Sequence, residues 1–147
     1  MKIIFLDFDG VLLTWRTRMA YGGSCSSGKP DRVVCDLLDR VCSVGPRIVV
    51  SSAWRDTERP CKQKLRQGGL MRFLHEDWRT DPKGFNRSKE VSDWLSAHPE
   101  VCDYRILDDE DHGWTPEQNA KFLACHPMEG MQSPEMEALA KWAGLRP

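Results

Sequence analysis

Near the amino end, Ile3-Ile4-Phe5-Leu6 runs without a break into Asp7-Phe8-Asp9-Gly10. A continuous apolar run of β-formers, with no polar alternation, suits a strand buried on both faces. That is the habit of parallel sheets. Asp7 and Asp9 lie two apart at the strand end, so their side chains leave the same face. The same two carboxylates argue against a secretory leader, whose apolar region cannot hold them. The expectation is a cytoplasmic chain.

The rest of the chain alternates between strand and helix signals. Ile48-Val49-Val50 reads as a second buried strand, Tyr104-Arg105-Ile106-Leu107 as a third and residues 121–125 as a fourth. From Asp31 the apolar residues Val33, Val34, Leu37, Leu38 and Val41 share one helical face, stopped by Gly45-Pro46. Residues 70–74 read as a short helix, and Ser88 as the cap of a helix bearing Val91, Trp94 and Leu95 inward. Thr115-Pro116-Glu117-Gln118 is a capping box, and Ser133-Pro134-Glu135 opens a last helix. Residues 15–30, rich in Gly and Ser, read as a long loop, and they lack the pattern of a phosphate-binding P-loop. This alternation predicts a three-layer, Rossmann-like α/β domain with a mostly parallel sheet. With 147 residues and no linker, residues 1–147 form one domain in this reading. No run is long and apolar enough for a membrane span. The six cysteines include no C-x-x-C pair, and no histidine stands at zinc-finger spacing, so free thiols are expected.

In such sheets ligands gather at the carboxyl ends of the strands. Those ends carry Asp7/Asp9, Ser51/Ser52 and Asp108/Asp109. Neighbouring carboxylates repel, and an all-oxygen site resolves this best with a hard cation such as Mg²⁺. Gly10 lets the backbone turn and approach a ligand closely. A metal, a nucleophilic carboxylate, a second carboxylate and a hydroxyl make a phosphoryl-transfer kit. It also needs a positive side chain, for which Arg87, Lys89 and Arg55 are the candidates.

Asp7-Phe8-Asp9-Gly10-Val11-Leu12 resembles motif I of the haloacid dehalogenase (HAD) superfamily, D-x-D-G-[VT]-[LV]. Ile48-Val49-Val50-Ser51 resembles motif II, Arg87 or Lys89 would serve as motif III, and Ile106-Leu107-Asp108-Asp109 resembles motif IV. Residues 50–55 and 106–111 are similar to the small HAD-like domains of RNA-repair proteins and of phage and bacterial genomes. The resemblance implies a phosphatase in which Asp7 attacks phosphorus and Asp9 acts as acid and then base. It implies Mg²⁺ held by Asp7, the main-chain carbonyl of Asp9, Asp108 and Asp109. Ser51, with Ser52 as its rival, and the motif III cation would bind phosphoryl oxygens. Arg87 fits the R-x-x-E-[IV] pattern of small relatives, whereas Lys89 is the commoner residue type. Asp111 falls short of the usual spacing. Neither gap between motifs can fold as a cap, so an open site without a cap domain is expected.

Net charge is −1, which excludes a globally basic coat for nucleic acid. Residues 55–72 nevertheless carry a local net charge of +4, read either as a solvated helix face or as a polyanion contact. Trp15 and Trp54, just past motifs I and II, are candidate substrate contacts. Trp94 and Trp142 read as core, and His112 and His126 as surface residues. The expected substrate is a phosphomonoester, foremost a nucleotide or nucleic-acid end. A small-metabolite phosphatase or phosphotransferase and a non-catalytic binding module of the same fold are the rivals.

Overall fold

The computed structural model describes residues 1–23 and 28–146. Five strands form one parallel sheet: β1 (Lys2–Leu6), β2 (Arg47–Val50), β3 (Leu74–Arg79), β4 (Asp103–Asp108) and β5 (Phe122–Ala124). Their spatial order is β3-β2-β1-β4-β5, with β1 at the centre. The register pairs Leu6 with Val50 on one side and with Leu107 on the other. The three central strands therefore end level with one another, and the residues just past each end are brought together.

Side chains of the sheet alternate between two cores. Ile4, Leu6, Ile48, Val50 and Leu107 pack on one face under α2 (Arg32–Ser43), α3 (Glu58–Gln67) and α6 (Ser133–Ala143). Ile3, Phe5, Val49 and Ile106 pack on the other, under Val91 and Trp94 of α4 (Arg87–Ala97). Phe5 meets the edges of Trp94 and Tyr104, with ring centroids 5.5 and 5.9 Å apart. The short α5 (Pro116–Asn119) opens on the expected capping box at Thr115. The result is three layers, α/β/α, with no separate cap domain among the described residues.

The structure corrects the sequence reading in four places. Trp15–Tyr21 is a helix, α1, and not loop, because Thr14 and Thr17 exchange capping hydrogen bonds of 3.0 and 3.2 Å. Residues 24–27 of the same predicted loop lie outside the described residues. The helix expected over 70–74 shrinks to one 3₁₀ turn at Met71–Phe73, and Leu74 begins a fifth strand that the sequence hid. That strand, Leu-His-Glu-Asp-Trp-Arg, is an edge. Its charges deter pairing with another chain and at the same time erase the apolar run that marks a buried strand. Asn86 caps α4 in place of Ser88, its side chain accepting from Lys89 N at 2.9 Å. Val33 faces out from α2, whose buried residues are Val34, Cys35, Leu38, Val41 and Cys42. The described cysteines are free, as expected; burial pushes the thiols of Cys35, Cys42, Cys61 and Cys125 up to about 12.

Candidate active site

Asp7 leaves the end of β1, Ser51 and Ser52 the end of β2, and Asp108 closes β4, while Arg87 opens α4 above the same rim. Asp7, Asp9, Ser52, Arg87, Asp108 and Asp109 line one cavity of about 230 Å³. The turn that brings Asp9 round depends on Gly10, which has φ +77°. A Cβ there would lie 2.2 Å from Asp109 Cγ, so only glycine lets the loop after β1 sit against the end of β4.

The site's charges are tightly packed. Oxygens of Asp7, Asp108 and Asp109 all lie within 4.8 Å of one another. Arg87 Nη1 stands 2.7 Å from Asp108 Oδ2 and 3.4 Å from Asp7 Oδ1, bridging the two. Asp108 also accepts the Glu110 N–H at 3.0 Å. Burial, seconded by the charge of Asp108, pushes the Asp7 carboxyl up to about 7, against the pull of Arg87 and a hydrogen bond from Ser52. Burial and Asp108 raise Asp109 as well. One guanidinium thus stands between the two buried carboxylates Asp7 and Asp108, with half-buried Asp109 and exposed Asp9 beside them, so the cluster carries excess negative charge. The donor set is all oxygen, which suits a hard, partly hydrated divalent cation such as Mg²⁺.

The two serines divide. Ser52 lines the cavity, bonds to Asp7 and caps the 3₁₀ turn at Ala53–Asp56 through Trp54 N. Ser51 lies on the same face of the sheet as Asp7, since its N–H donates to Leu6 O at 3.0 Å and continues the β1–β2 register. Its hydroxyl is fully buried and has no hydrogen-bond partner among the described residues. A buried orphan hydroxyl at the end of β2, in register with Asp7, is one that a phosphoryl oxygen could satisfy.

Several residues singled out in the sequence sit elsewhere. Lys89 projects from α4 into solvent and pairs with Asp93, so Arg87 is the cation at the rim. Arg55 is buried and bound to Glu90 Oε2 at 2.7 Å, with further hydrogen bonds to the carbonyls of Ser51, Ser52 and Asp81. It holds the loop after β2 and offers no face to a substrate. Asp111 turns away to accept the Gly113 N–H at 2.9 Å. Trp54 donates its indole N–H to Asp9 Oδ2 at 2.9 Å, fixing that otherwise exposed carboxylate. Trp15, half exposed, walls a second cleft of about 270 Å³ that opens from Asp9 and Asp109 toward Met128.

The sequence reading missed two neighbours of the site. His112, taken as a surface residue, has Nε2 3.3 Å from Asp108 Oδ2 and an edge on Trp114. Its position four residues after Asp108 was the available signal. Glu90, nearly fully buried, is the partner of Arg55 and belongs to the Arg87-x-x-Glu90 pattern already visible in sequence.

A comparison with known families matches the HAD domain in Swiss Army Knife RNA repair proteins over residues 3–136. No match was found among curated proteins or among solved structures. The matched span runs from β1 into α6 and contains every residue of the rim. The chain therefore belongs to the HAD superfamily, to the family of HAD domains in Swiss Army Knife RNA repair proteins, and with it to the HAD-type phosphatases.

Proposed function

We propose that the protein is a Mg²⁺-dependent phosphomonoester hydrolase acting through an aspartyl phosphate on Asp7. The observation that carries this reading is the convergence of Asp7, Ser52, Arg87, Asp108 and Asp109 on one cavity at the ends of the strands. Asp7 attacks phosphorus with a carboxylate oxygen, and the bond to the leaving oxygen breaks. Asp9, held by Trp54, gives that oxygen a proton. Asp9 then takes a proton from water, which attacks the phosphoryl group, releases phosphate and restores Asp7. Ser51, Ser52 and Arg87 donate to the phosphoryl oxygens. Asp7, Asp108, Asp109 and the main-chain carbonyl of Asp9 would hold the metal, which supplies positive charge against the developing negative charge.

The substrate in this reading is a nucleotide or a nucleic-acid terminal phosphate. The family's description, and a cleft that opens from Asp9 past the Trp15 indole, support it. One observation favours a small-metabolite substrate instead. Most of the basic strip of residues 55–72 is already engaged: Lys62 by Glu58, Arg72 by Asp39, Arg55 by Glu90, and Lys64 by the Gly28 carbonyl. The protein is proposed to work as a single cytoplasmic domain; no helix among the described residues is long and apolar enough to cross a membrane.

A panel of sugar phosphates, mononucleotides and 3′- or 5′-phosphorylated oligonucleotides tests the reading. Turnover should vanish with EDTA and return with Mg²⁺, and kcat/KM should be highest for an oligonucleotide or nucleotide. A sugar phosphate at the top would select the metabolite reading. A folded protein with no metal-dependent turnover of any phosphomonoester would point to a binding module.

A further inference from the structure

At the opposite end of the sheet stands a second group of ligating side chains. His75 and Asp77 lie two apart on the edge strand β3, so they share a face. His98 caps the carboxyl end of α4, and Glu100 lies two residues beyond it. Nitrogens of His75 and His98 and an oxygen of Glu100 lie within 4.8 Å of one another. His98 Nε2 is 3.5 Å from Asp77 Oδ2, and His75 Nε2 is 3.9 Å from Glu100 Oε1. The second distance is too long for a hydrogen bond and the first is at its limit. Both approach the ~3.4 Å that separates donors around a tetrahedral ion with bonds of ~2.1 Å.

The imidazole of His98 is already set for a ligand. Its Nδ1–H donates to the Trp94 carbonyl at 2.7 Å, so that in the neutral ring the Nε2 lone pair faces the Asp77 carboxylate 3.5 Å away. Two acceptors facing each other call for a positive charge between them. A ring N–H given to a backbone carbonyl is the usual support of a metal-bound histidine. The His98 ring is further fixed by stacking on Trp94, with centroids 3.7 Å apart. His75 is less ready. Its Nδ1 accepts the Asp77 N–H at 3.0 Å, which leaves the ring proton on Nε2. Ligation through Nε2 would displace that proton and break the bond, so His75 is the weakest of the four.

We propose that His75, His98 and Glu100, whose donor atoms converge, with Asp77 at hand beside His98, form a binding site for a borderline divalent transition ion, Zn²⁺ foremost, distinct from the carboxylate cluster. Two imidazoles and two carboxylates favour Zn²⁺ over the hard cation suited to the other site. The eleven residues of α4 place the two sites roughly 16 Å apart, at 1.5 Å per residue. Zn²⁺ here would tie the exposed edge strand to the end of α4. Sequence spacing concealed the site, because its ligands come as His-x-Asp and His-x-Glu on two separate elements.

The test is calorimetric titration of the full chain with Zn²⁺ in excess Mg²⁺, alongside His98→Phe, Glu100→Gln and Asp108→Asn. The wild type should bind one Zn²⁺ that Mg²⁺ does not displace, and should melt at a higher temperature with Zn²⁺ than without. His98→Phe keeps an aromatic ring over Trp94 and should weaken binding at least about tenfold. Asp108→Asn should bind Zn²⁺ as the wild type does. Equal affinity in His98→Phe and wild type, or loss of Zn²⁺ in Asp108→Asn alone, would overturn the proposal. If His98→Phe does not fold, the exposed Glu100→Gln decides: an unchanged affinity there overturns it too.

Discussion

Asp7 carries opposite demands, and its surroundings record them. As the proposed nucleophile it must be ionised, yet burial and Asp108 hold its carboxyl up at about 7. An unfolded aspartate ionises near 3.8, so between that value and about 7 the native state binds more protons than the unfolded one. On this group's account, stability of the metal-free protein is greatest below the unfolded value and falls as pH rises through about 7. A bound cation favours the ionised form and reverses the penalty. The melting-temperature gain on adding Mg²⁺ should therefore be small at pH 5 and larger at pH 8. Asp7→Asn, which has no charge to relieve, should flatten that dependence and abolish phosphoryl transfer. An Asp7→Asn protein whose Mg²⁺ response still grew with pH would move the coupling to another group. Trp54 poses a narrower question. Its indole N–H fixes Asp9 at 2.9 Å, and a phenyl ring cannot. Trp54→Phe should lower kcat most for substrates with poor leaving groups, where proton donation counts, and least for an activated aryl phosphate.

Arg55 and Glu90 act between elements. Glu90, in the first turn of α4, reaches Arg55, which grips the carbonyls of Ser51 and Ser52. The ion pair thus sets the helix that bears Arg87 against the loop that bears the hydroxyls. Gly84 packs so close that a Cβ there would lie 2.3 Å from Glu90 Oε1, so even the loop before α4 is shaped around this carboxylate. Removing one partner from a buried pair leaves the other uncompensated, at a cost of about 3–5 kcal/mol. For a chain of this length that lowers Tm by roughly 6–20 °C. Glu90→Gln keeps the size and loses the charge, so its melting curve checks the figure directly. The variant should also bind inorganic phosphate more weakly as Arg87 and Ser52 drift apart. Much of this framework was legible in the sequence. The central strands are continuous apolar runs, and the chemistry sits where they stop. The elements that escaped did so for physical reasons. The edge strand β3 exchanges apolar residues for charges, and α1 is held by a threonine capping pair in a segment whose glycines and serines read as loop. The roles of Arg55, Lys89 and His112 depended on contacts across the fold. Arg55 looked like a substrate cation until Glu90, 35 positions away in sequence, claimed it.

At the scale of the molecule, no cap domain among the described residues covers the rim, which opens in two directions. One cleft, of about 270 Å³, runs from Asp9 and Asp109 to Trp15 and Met128; the other, of about 370 Å³, runs from Asp9 past Trp54 to Pro60. The basic strip of α3 borders the second. Lys62 spans Glu58 and the Trp78 ring, and Lys64 is buried against the Gly28 carbonyl. Lys62 is ion-paired and Lys64 is buried, so neither offers an accessible free charge to a polyanion, and removing a charge at the rim alters only uniform binding. Trp15 offers what the strip does not, an exposed indole in the cleft that Asp9 and Asp109 also line, with exposed Met128 beside it. Base stacking on such a ring is worth about 1–3 kcal/mol. Trp15→Ala should therefore raise KM for a phosphorylated oligonucleotide by roughly five- to 150-fold. It should leave turnover of a small aryl phosphate unchanged, because the chemistry proposed at Asp7 is untouched. Lys62→Glu should shift neither substrate by more than about twofold, the scale of an exposed ion pair. A large effect of Lys62→Glu with none from Trp15→Ala would place the leaving group over α3 instead and reverse the orientation of substrate across the rim.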